Sequence, residues 1–392
     1  MDYNDYNNFI YSYVELHIYI PSTSVLHAEF RLDVIDTSQL FQQNFLSIIS
    51  DSCIFVRKNT WIALYVDDIV IFTSNQQESD YIVKLIQSEF DIKDLGEAKL
   101  LLGLKLQRMP VGLFIHQMDY VVKLLKQSNM HDCKSVTTPC LPGDKFSKEQ
   151  SPTTEEGKNA MRLVPYRETI GKLLFLAKST RPDILFAITS LSRFNSNPGP
   201  IHWTGVKRIL RYLKGTSDFG ILISKQSDVQ PQIFSDADWG NDVDTRKSVS
   251  GFCLMVGDTV VSYKSKLQKV VSLSTMKSEL YALALSVQEA MWYVSFFKEI
   301  GNNQTITLLE DNQSCIQYLK NNNTTSRAKH VDIKFHFVNE ALKNGDYCLK
   351  YCKSSDNIAD IFTKPNSPAK LSSFLMMMSV GCRGRVGVQP TQ

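Results

Sequence analysis

The chain lacks the spacings that would tie its eight cysteines to a metal or to one another. There is no CxxC pair and no cysteine–histidine set at zinc intervals, so neither a zinc module nor a disulfide framework is indicated. Cys348 and Cys352, four apart on an expected strand, are read as small apolar side chains for burial. Long apolar runs are missing as well. Residues 9–20 are interrupted by Glu15 and His17, and residues 371–378 are too few to span a bilayer. The N-terminus is acidic, without a cationic stretch ahead of an apolar core, so no signal peptide is read. The expectation is an intracellular soluble protein with no membrane partner. Nor does one sign of charge dominate: the net charge of +3 is too small to name a partner.

What is present is apolar residue content and a marked charge distribution. With 392 residues, 43% of them hydrophobic, the chain can bury two or three cores. Residues 1–30 carry acids but no Lys or Arg, whereas residues 161–220 carry ten Lys/Arg against Glu168, Asp183 and Asp218. Residues 1–45 hold no motif, and 9–20 reads as one or two strands. Residues 139–160 are rich in Pro, Gly, Ser, Thr and charge and read as an exposed linker or long loop.

Four acidic residues stand where they could meet. Asp236 ends an apolar-alternating strand, Gln232-Ile233-Phe234-Ser235-Asp236-Ala237-Asp238-Trp239. Glu279 lies near the start of a long helical pattern whose stripe (Leu280, Leu283, Val287, Ala290, Met291, Val294, Phe297) is core. Asp311 follows the strand 306–310, and Asp360 follows the strand 347–352. The spacings leave room for further elements between them. Four converging carboxylates cannot all stay ionised unless a cation shares the site. Hard oxygen ligands suit Mg²⁺ or Mn²⁺, and a pair of such ions would serve phosphodiester hydrolysis. Asp238 shares the strand face of Asp236 and is a further possible ligand. Glu310 is expected to point opposite to Asp311 and ranks lower. Each of these acids, taken singly, reads first as a surface residue at an element end; it is the set of four in order that points to a site.

The order Ser-Asp-Ala-Asp-Trp, Ser-Thr-x-x-x-Glu, Asp-Asn-Gln-Ser, Ala-Asp-Ile-Phe-Thr-Lys-Pro resembles the ribonuclease H domain of copia-type LTR retrotransposons. The resemblance maps the family's metal-binding acids onto Asp236, Glu279, Asp311 and Asp360 and implies Mg²⁺ or Mn²⁺, two ions in the site. Upstream, Tyr65-Val66-Asp67-Asp68 between strands 61–66 and 69–73 is similar to the palm hairpin of reverse transcriptases, implying metal contacts from Asp67 and Asp68. An Asp pair is also ordinary turn chemistry. Asp94-Leu95-Gly96-Glu97 and the strand pair around 100–116 continue the likeness. Arg-Pro-Asp-Ile at 181–184 and Arg-Tyr-Leu-Lys-Gly-Thr at 211–216 resemble the thumb and connection. There the helix 202–214 presents Lys207, Arg208, Arg211 and Lys214, expected on a phosphate backbone or else on a solvated face.

The resemblance therefore implies a mixed α/β architecture: a partial reverse-transcriptase palm and thumb-connection, followed by a ribonuclease H-like domain with a five-stranded mixed sheet and flanking helices. The expected divisions are an unassigned 1–45, palm 46–140, linker 141–160, thumb-connection 161–224, ribonuclease H-like domain 225–365 and tail 366–392. The implied partners are an RNA–DNA hybrid and the rest of the Pol polyprotein; the implied location is a cytoplasmic virus-like particle or the nucleus. Some departures stand out. The loop 353–357 has no histidine, and Glu310 stands where the family often has Cys. Asp33 lacks the apolar-aromatic pattern that follows the palm's other metal-binding Asp, and the fingers are not recognisable, so polymerase activity is not expected of this chain alone. The expected function is a metal-dependent ribonuclease on an incomplete polymerase; the alternative is a non-catalytic nucleic-acid-binding remnant.

Overall fold

The computed structural model describes residues 22–28, 43–66, 68–90, 92–225, 230–321 and 329–384. The expected strands at 9–20, together with Asp33 and Asp67, lie outside these residues. The chain divides into two compact units: one of residues 1–114, 223–225 and 291–304, the other of 115–222, 226–290 and 305–392.

The first unit is built on six antiparallel strands. These are β1 (Ser22–Ala28), β2 (Leu46–Ser47), β3 (Ile54–Arg57), β4 (Thr60–Tyr65), β5 (Asp68–Thr73) and β6 (Ile92–Glu97), in the order β2-β3-β4-β5-β1-β6. In β5 the run Ile69-Val70-Ile71-Phe72 is wholly buried, which is why it reads as unbroken apolar sequence. Helix α1 (Gln76–Glu89) begins where Asn75 accepts the Gln77 N–H at 2.9 Å and sends Ile82, Val83 and Ile86 into a core with Phe45, Phe55 and Ile62. Strands β7 (Leu100–Leu101) and β8 (Leu104–Met109) pair antiparallel, and β9 spans Gly112–His116.

The second unit opens with helices: α2 (Met118–Gln127), α3 (Glu155–Arg162), α4 (Tyr166–Ser179), α5 (Leu185–Ser192) and α6 (Pro200–Gly215). The stretch expected as a bare linker thus carries α3, together with a 3-10 turn at Lys148–Gln150. Its polar composition hid a capped start: Thr154 accepts the Gly157 N–H, with Glu155 and Glu156 in the first turn. Strand β10 (Phe219–Ser224) follows.

Next comes a mixed five-stranded sheet. It consists of β11 (Pro231–Asp238), β12 (Val249–Val256), β13 (Thr259–Leu267), β14 (Ile306–Glu310) and β15 (Tyr347–Tyr351), in the order β13-β12-β11-β14-β15. β11, β12 and β13 are antiparallel; β14 runs parallel to β11, and β15 parallel to β14. Helix α7 (Thr275–Glu299) joins β13 to β14, while α8 (Gln313–Lys320) and α9 (Lys329–Lys343) lie between β14 and β15. The segment expected as a tail is ordered into α10 (Pro368–Met377) and β16 (Val380–Cys382), which pairs with β10. Of the two cysteines expected to be buried together, Cys352 is buried but Cys348 is exposed; β15 ends at Tyr351, so the two do not share a strand face.

The helices and this sheet enclose one core. Leu173, Ile188, Ile209 and Leu213 pack with Phe234, Cys253, Tyr263, Phe362 and Phe374, and the Tyr263 hydroxyl donates to the Ala177 carbonyl at 2.9 Å. Deep between the helices, Arg181 and Asp183 form an ion pair with both side chains fully buried. Arg181 also donates to the Thr216 carbonyl at 2.8 Å, and the Tyr212 hydroxyl donates to Asp183 at 2.8 Å. These partners satisfy charges that would otherwise be costly to bury.

Candidate metal centre

Three elements deliver carboxylates to one point. β11 is the central strand, and near its end it carries Asp236, which is only 3% exposed. Helix α7 starts at Thr275, where Ser274 accepts the Lys277 N–H and its carbonyl takes the Ser278 N–H. That start seats Glu279 one turn in, 6% exposed. Asp311 follows the end of β14, just before Asn312 caps α8 by accepting the Cys315 N–H. Asp236, Glu279 and Asp311 each offer an oxygen, and these oxygens lie within 4.8 Å of one another.

Asp360 arrives differently. It sits in the 3-10 turn Ile358–Phe362, 1% exposed. The turn is tied to β11 because Asn357 donates to the Ser235 carbonyl at 2.8 Å and the Thr363 hydroxyl donates to Asp236. It also lies hard against β12: a Cβ at Gly251 would meet Phe362 and Thr363 at 2.8 Å, so only glycine allows this approach. Lys364 Nζ stands 2.6 Å from Asp360 and 3.9 Å from Asp236, and Lys370 of α10 pairs with Asp360 as well. Asp360 is thus beside the three-carboxylate cluster, linked to it through lysine. Neither lysine was singled out from the sequence, although Thr363 and Lys364 stand inside the Ala-Asp-Ile-Phe-Thr-Lys-Pro motif.

Glu310 is not among the three residues whose oxygens gather within 4.8 Å of one another, in keeping with its lower rank. Its side chain is nonetheless fully buried, and its charge raises Glu279. Ile306, Leu308 and Glu310 form the buried face of β14, a two-residue period already visible in the sequence. Asp311 lies past the strand end, so the alternation that separates it from Glu310 no longer applies.

Burial and mutual repulsion dominate the electrostatics. Burial pushes Asp236 up to about 7; Lys364 and the Thr363 hydroxyl oppose the shift, while Asp360 and Asp311 add to it. Burial, then the charges of Glu310, Asp236 and Asp311, hold Glu279 well above the usual carboxylate range. Glu310 is raised chiefly by burial, against the Asn312 N–H that it accepts at 3.0 Å. Asp238 is raised by burial too, with Lys364 and its Asn241 partner opposing. For Lys364 burial works downward, but Asp236 and Asp360 outweigh it and hold the ammonium above its usual range.

One oxygen of Glu279 and one of Glu310 are buried with no hydrogen-bond partner among the described residues. Orphaned buried acceptors are rare and costly. A divalent cation among Asp236, Glu279 and Asp311 would supply the missing positive charge, so the donor set fits Mg²⁺ or Mn²⁺.

The remaining expected residues are spread elsewhere. Asp67 lies outside the described residues. Asp68 is not a turn residue: it opens β5, half-buried and paired with Tyr65. The turn falls on Val66, a β-branched residue at φ +51°. On α6, Arg208 donates to the Thr138 hydroxyl at 3.0 Å and Arg211 to the Lys134 carbonyl at 2.8 Å, so both tie down the chain's own 134–138 segment. Lys207 is half-buried and Lys214 exposed.

Residues 31–142 match the family described as reverse transcriptase (RNA-dependent DNA polymerase). The chain is 36% identical over 333 residues to the retrovirus-related Pol polyprotein from transposon TNT 1-94 of Nicotiana tabacum, covering 82% of this chain and 25% of that protein. It is 32% identical over 342 residues to the corresponding polyprotein from transposon RE1 of Arabidopsis thaliana, covering 86% and 23%. Over most of its length the chain is thus similar to Pol polyproteins of plant copia-type retrotransposons. The chain spans about a quarter of the length of these relatives. Among solved structures, the foamy viral protease-reverse transcriptase in complex with RNA/DNA hybrid is similar at 12% identity and a TM-score of 0.44, covering 87% of this chain and 45% of that one. The chain is a mixed α/β protein with several sheets, one of them of three antiparallel strands with two more in parallel. Among the described residues, no helix is long and apolar enough to cross a membrane.

Proposed function

We propose that the chain is a metal-dependent ribonuclease that cuts the RNA strand of RNA–DNA hybrids. The observation that carries this reading is the convergence of Asp236, Glu279 and Asp311 within 4.8 Å, beside buried acceptors that lack partners. Bound Mg²⁺ or Mn²⁺, two ions in the full site, would make a water nucleophilic and stabilise the departing 3′-oxygen. Asp236, on the middle strand, would hold the cation together with Glu279 and Asp311. Asp360 completes the set beside Asp236, paired with Lys364 and Lys370. Asn357 and Thr363 fix the turn so that Asp360 keeps its place.

In this reading residues 46–140 are a partial palm, 161–224 a thumb-connection and 225–365 the ribonuclease H-like domain, with 141–160 between. Lys207 and Lys214 hold the phosphate backbone, and Arg208 and Arg211 shape the surface that carries them. Asp67 and Asp68 hold metal only where the rest of a polymerase is supplied. The test is cleavage of an end-labelled RNA annealed to DNA by the full chain with Mg²⁺. The expected result is metal-dependent cutting of RNA in the hybrid, abolished by chelator. Tight hybrid binding with no cleavage in either Mg²⁺ or Mn²⁺ would replace this reading with that of a non-catalytic nucleic-acid-binding remnant.

A further inference from the structure

Trp239 directly follows the strand that carries Asp236, yet half of it is exposed. It is not loose. Its indole N–H donates to the Ser272 carbonyl at 2.8 Å, which joins the end of β11 to the loop leading into α7. That loop is held from beneath by buried polar groups. The Ser272 hydroxyl donates to Gln268 at 2.9 Å; Gln268 in turn donates to the Ser250 hydroxyl at 2.9 Å and the Ser278 carbonyl at 3.0 Å. The Gln268 backbone N–H reaches the Ser248 carbonyl at 2.8 Å. This framework is rigid, but it turns apolar side chains outward: Val270 is 43% exposed, Val271 48% and Leu273 80%. A loop serving only the fold would bury them.

The charge around these residues selects the occupant. From residue 264 to residue 278 the sequence has Lys264, Lys266, Lys269 and Lys277 and no acid. Lys264 is held by Glu289, whereas Lys266 and Lys269 are exposed. A fixed aromatic face with aliphatic neighbours, flanked in sequence by the exposed Lys266 and Lys269, suits the sugar surfaces of a nucleic-acid duplex, with the phosphates meeting lysine. The patch is also continuous with the metal centre, since it bridges the strand end bearing Asp236 and the helix start bearing Glu279.

We propose that Trp239, with Val270, Val271 and Leu273, is a contact platform for the nucleic-acid strand next to the bond being cut, and that it sets the register of that strand over the carboxylates. The proposal rests on the ribonuclease reading given above. Trp239 is a positioning residue that touches no reacting atom.

The experiment measures hybrid binding by the full chain in chelator, by anisotropy of a labelled RNA–DNA hybrid, and KM and kcat in Mg²⁺. Trp239→Ala is expected to weaken binding roughly fivefold or more, the scale for truncating an aromatic contact residue, and to raise KM by a similar factor while kcat falls much less. Trp239→Phe keeps a ring but loses the N–H, and should bind within about threefold of the parent. Leu273→Ser, at a side chain 80% exposed, should weaken binding without lowering the melting temperature, which keeps the test open if Trp239→Ala does not fold. Unchanged binding in Trp239→Ala overturns the proposal. So does a loss in Trp239→Phe as large as in Trp239→Ala, since the strap to Ser272 would then be what matters. If the parent chain binds hybrid but does not cut it, the ribonuclease reading fails while the platform remains measurable.

Discussion

Raising the pH of the metal-free protein should destabilise it, and Mg²⁺ should reverse the loss. Asp236 titrates at about 7 in the folded chain, against an ordinary value of 3.8. Between those values the folded state holds a proton that the unfolded state has released, so stability falls as pH rises. The difference corresponds to roughly 4 kcal/mol, which is a ceiling for Asp236 alone because its neighbours share the proton. Glu279 and Glu310 are raised as well and act in the same direction. A cation bound among ionised carboxylates removes the repulsion, and at a hundredfold excess over Kd it returns about 2.7 kcal/mol. The assay is the urea midpoint by circular dichroism from about pH 5 to about pH 8, in chelator and in Mg²⁺. The expected midpoint drops with pH in chelator and recovers in Mg²⁺, while Asp236→Asn, which cannot ionise, shows a flatter slope and a weaker response to metal. A midpoint independent of both pH and Mg²⁺ would refute the reasoning.

Three other outcomes can be measured. Asp183→Ala strands the fully buried Arg181 guanidinium and should cost about 3–5 kcal/mol, read as a shifted urea midpoint; recovery in Arg181→Met with Asp183→Leu would show that the pair, not the volume, is responsible. Replacing Lys207 and Lys214 with Gln should lower the slope of log affinity against log salt by about 0.9 for each phosphate no longer neutralised, and an unchanged slope makes them a solvated face. In a primer-extension assay the chain alone should give no product, because Asp33 lacks the flanks of a palm ligand and one hairpin leaves a second metal under-coordinated; template-dependent extension abolished in Asp67→Asn would contradict this.

Local pattern made much of the second unit legible from sequence. β14 falls at the expected 306–310, and the strand expected at 232–239 is Pro231–Asp238. These have a clear period and firm stops. The misses share a cause: they depend on contacts across the fold. Lys370 lies on a segment read as tail, and only the packing of α10 brings it to Asp360. Arg208 and Arg211 read as a basic face, but the 134–138 segment that they hold is distant in sequence. The helix at 155–162 was hidden by its charge, its signal being a cap and not an apolar stripe.

The central claim is that Asp236 anchors a metal centre that cuts RNA in a hybrid. Cleavage by Asp236→Asn measures it most directly, because the substitution removes a ligand charge and almost no volume. Assayed in Mg²⁺ beside the parent, the variant should bind hybrid at least as well and cut it roughly a thousandfold or more slower, the scale on which removing a key catalytic group acts. Cleavage at the parent's rate would contradict the account.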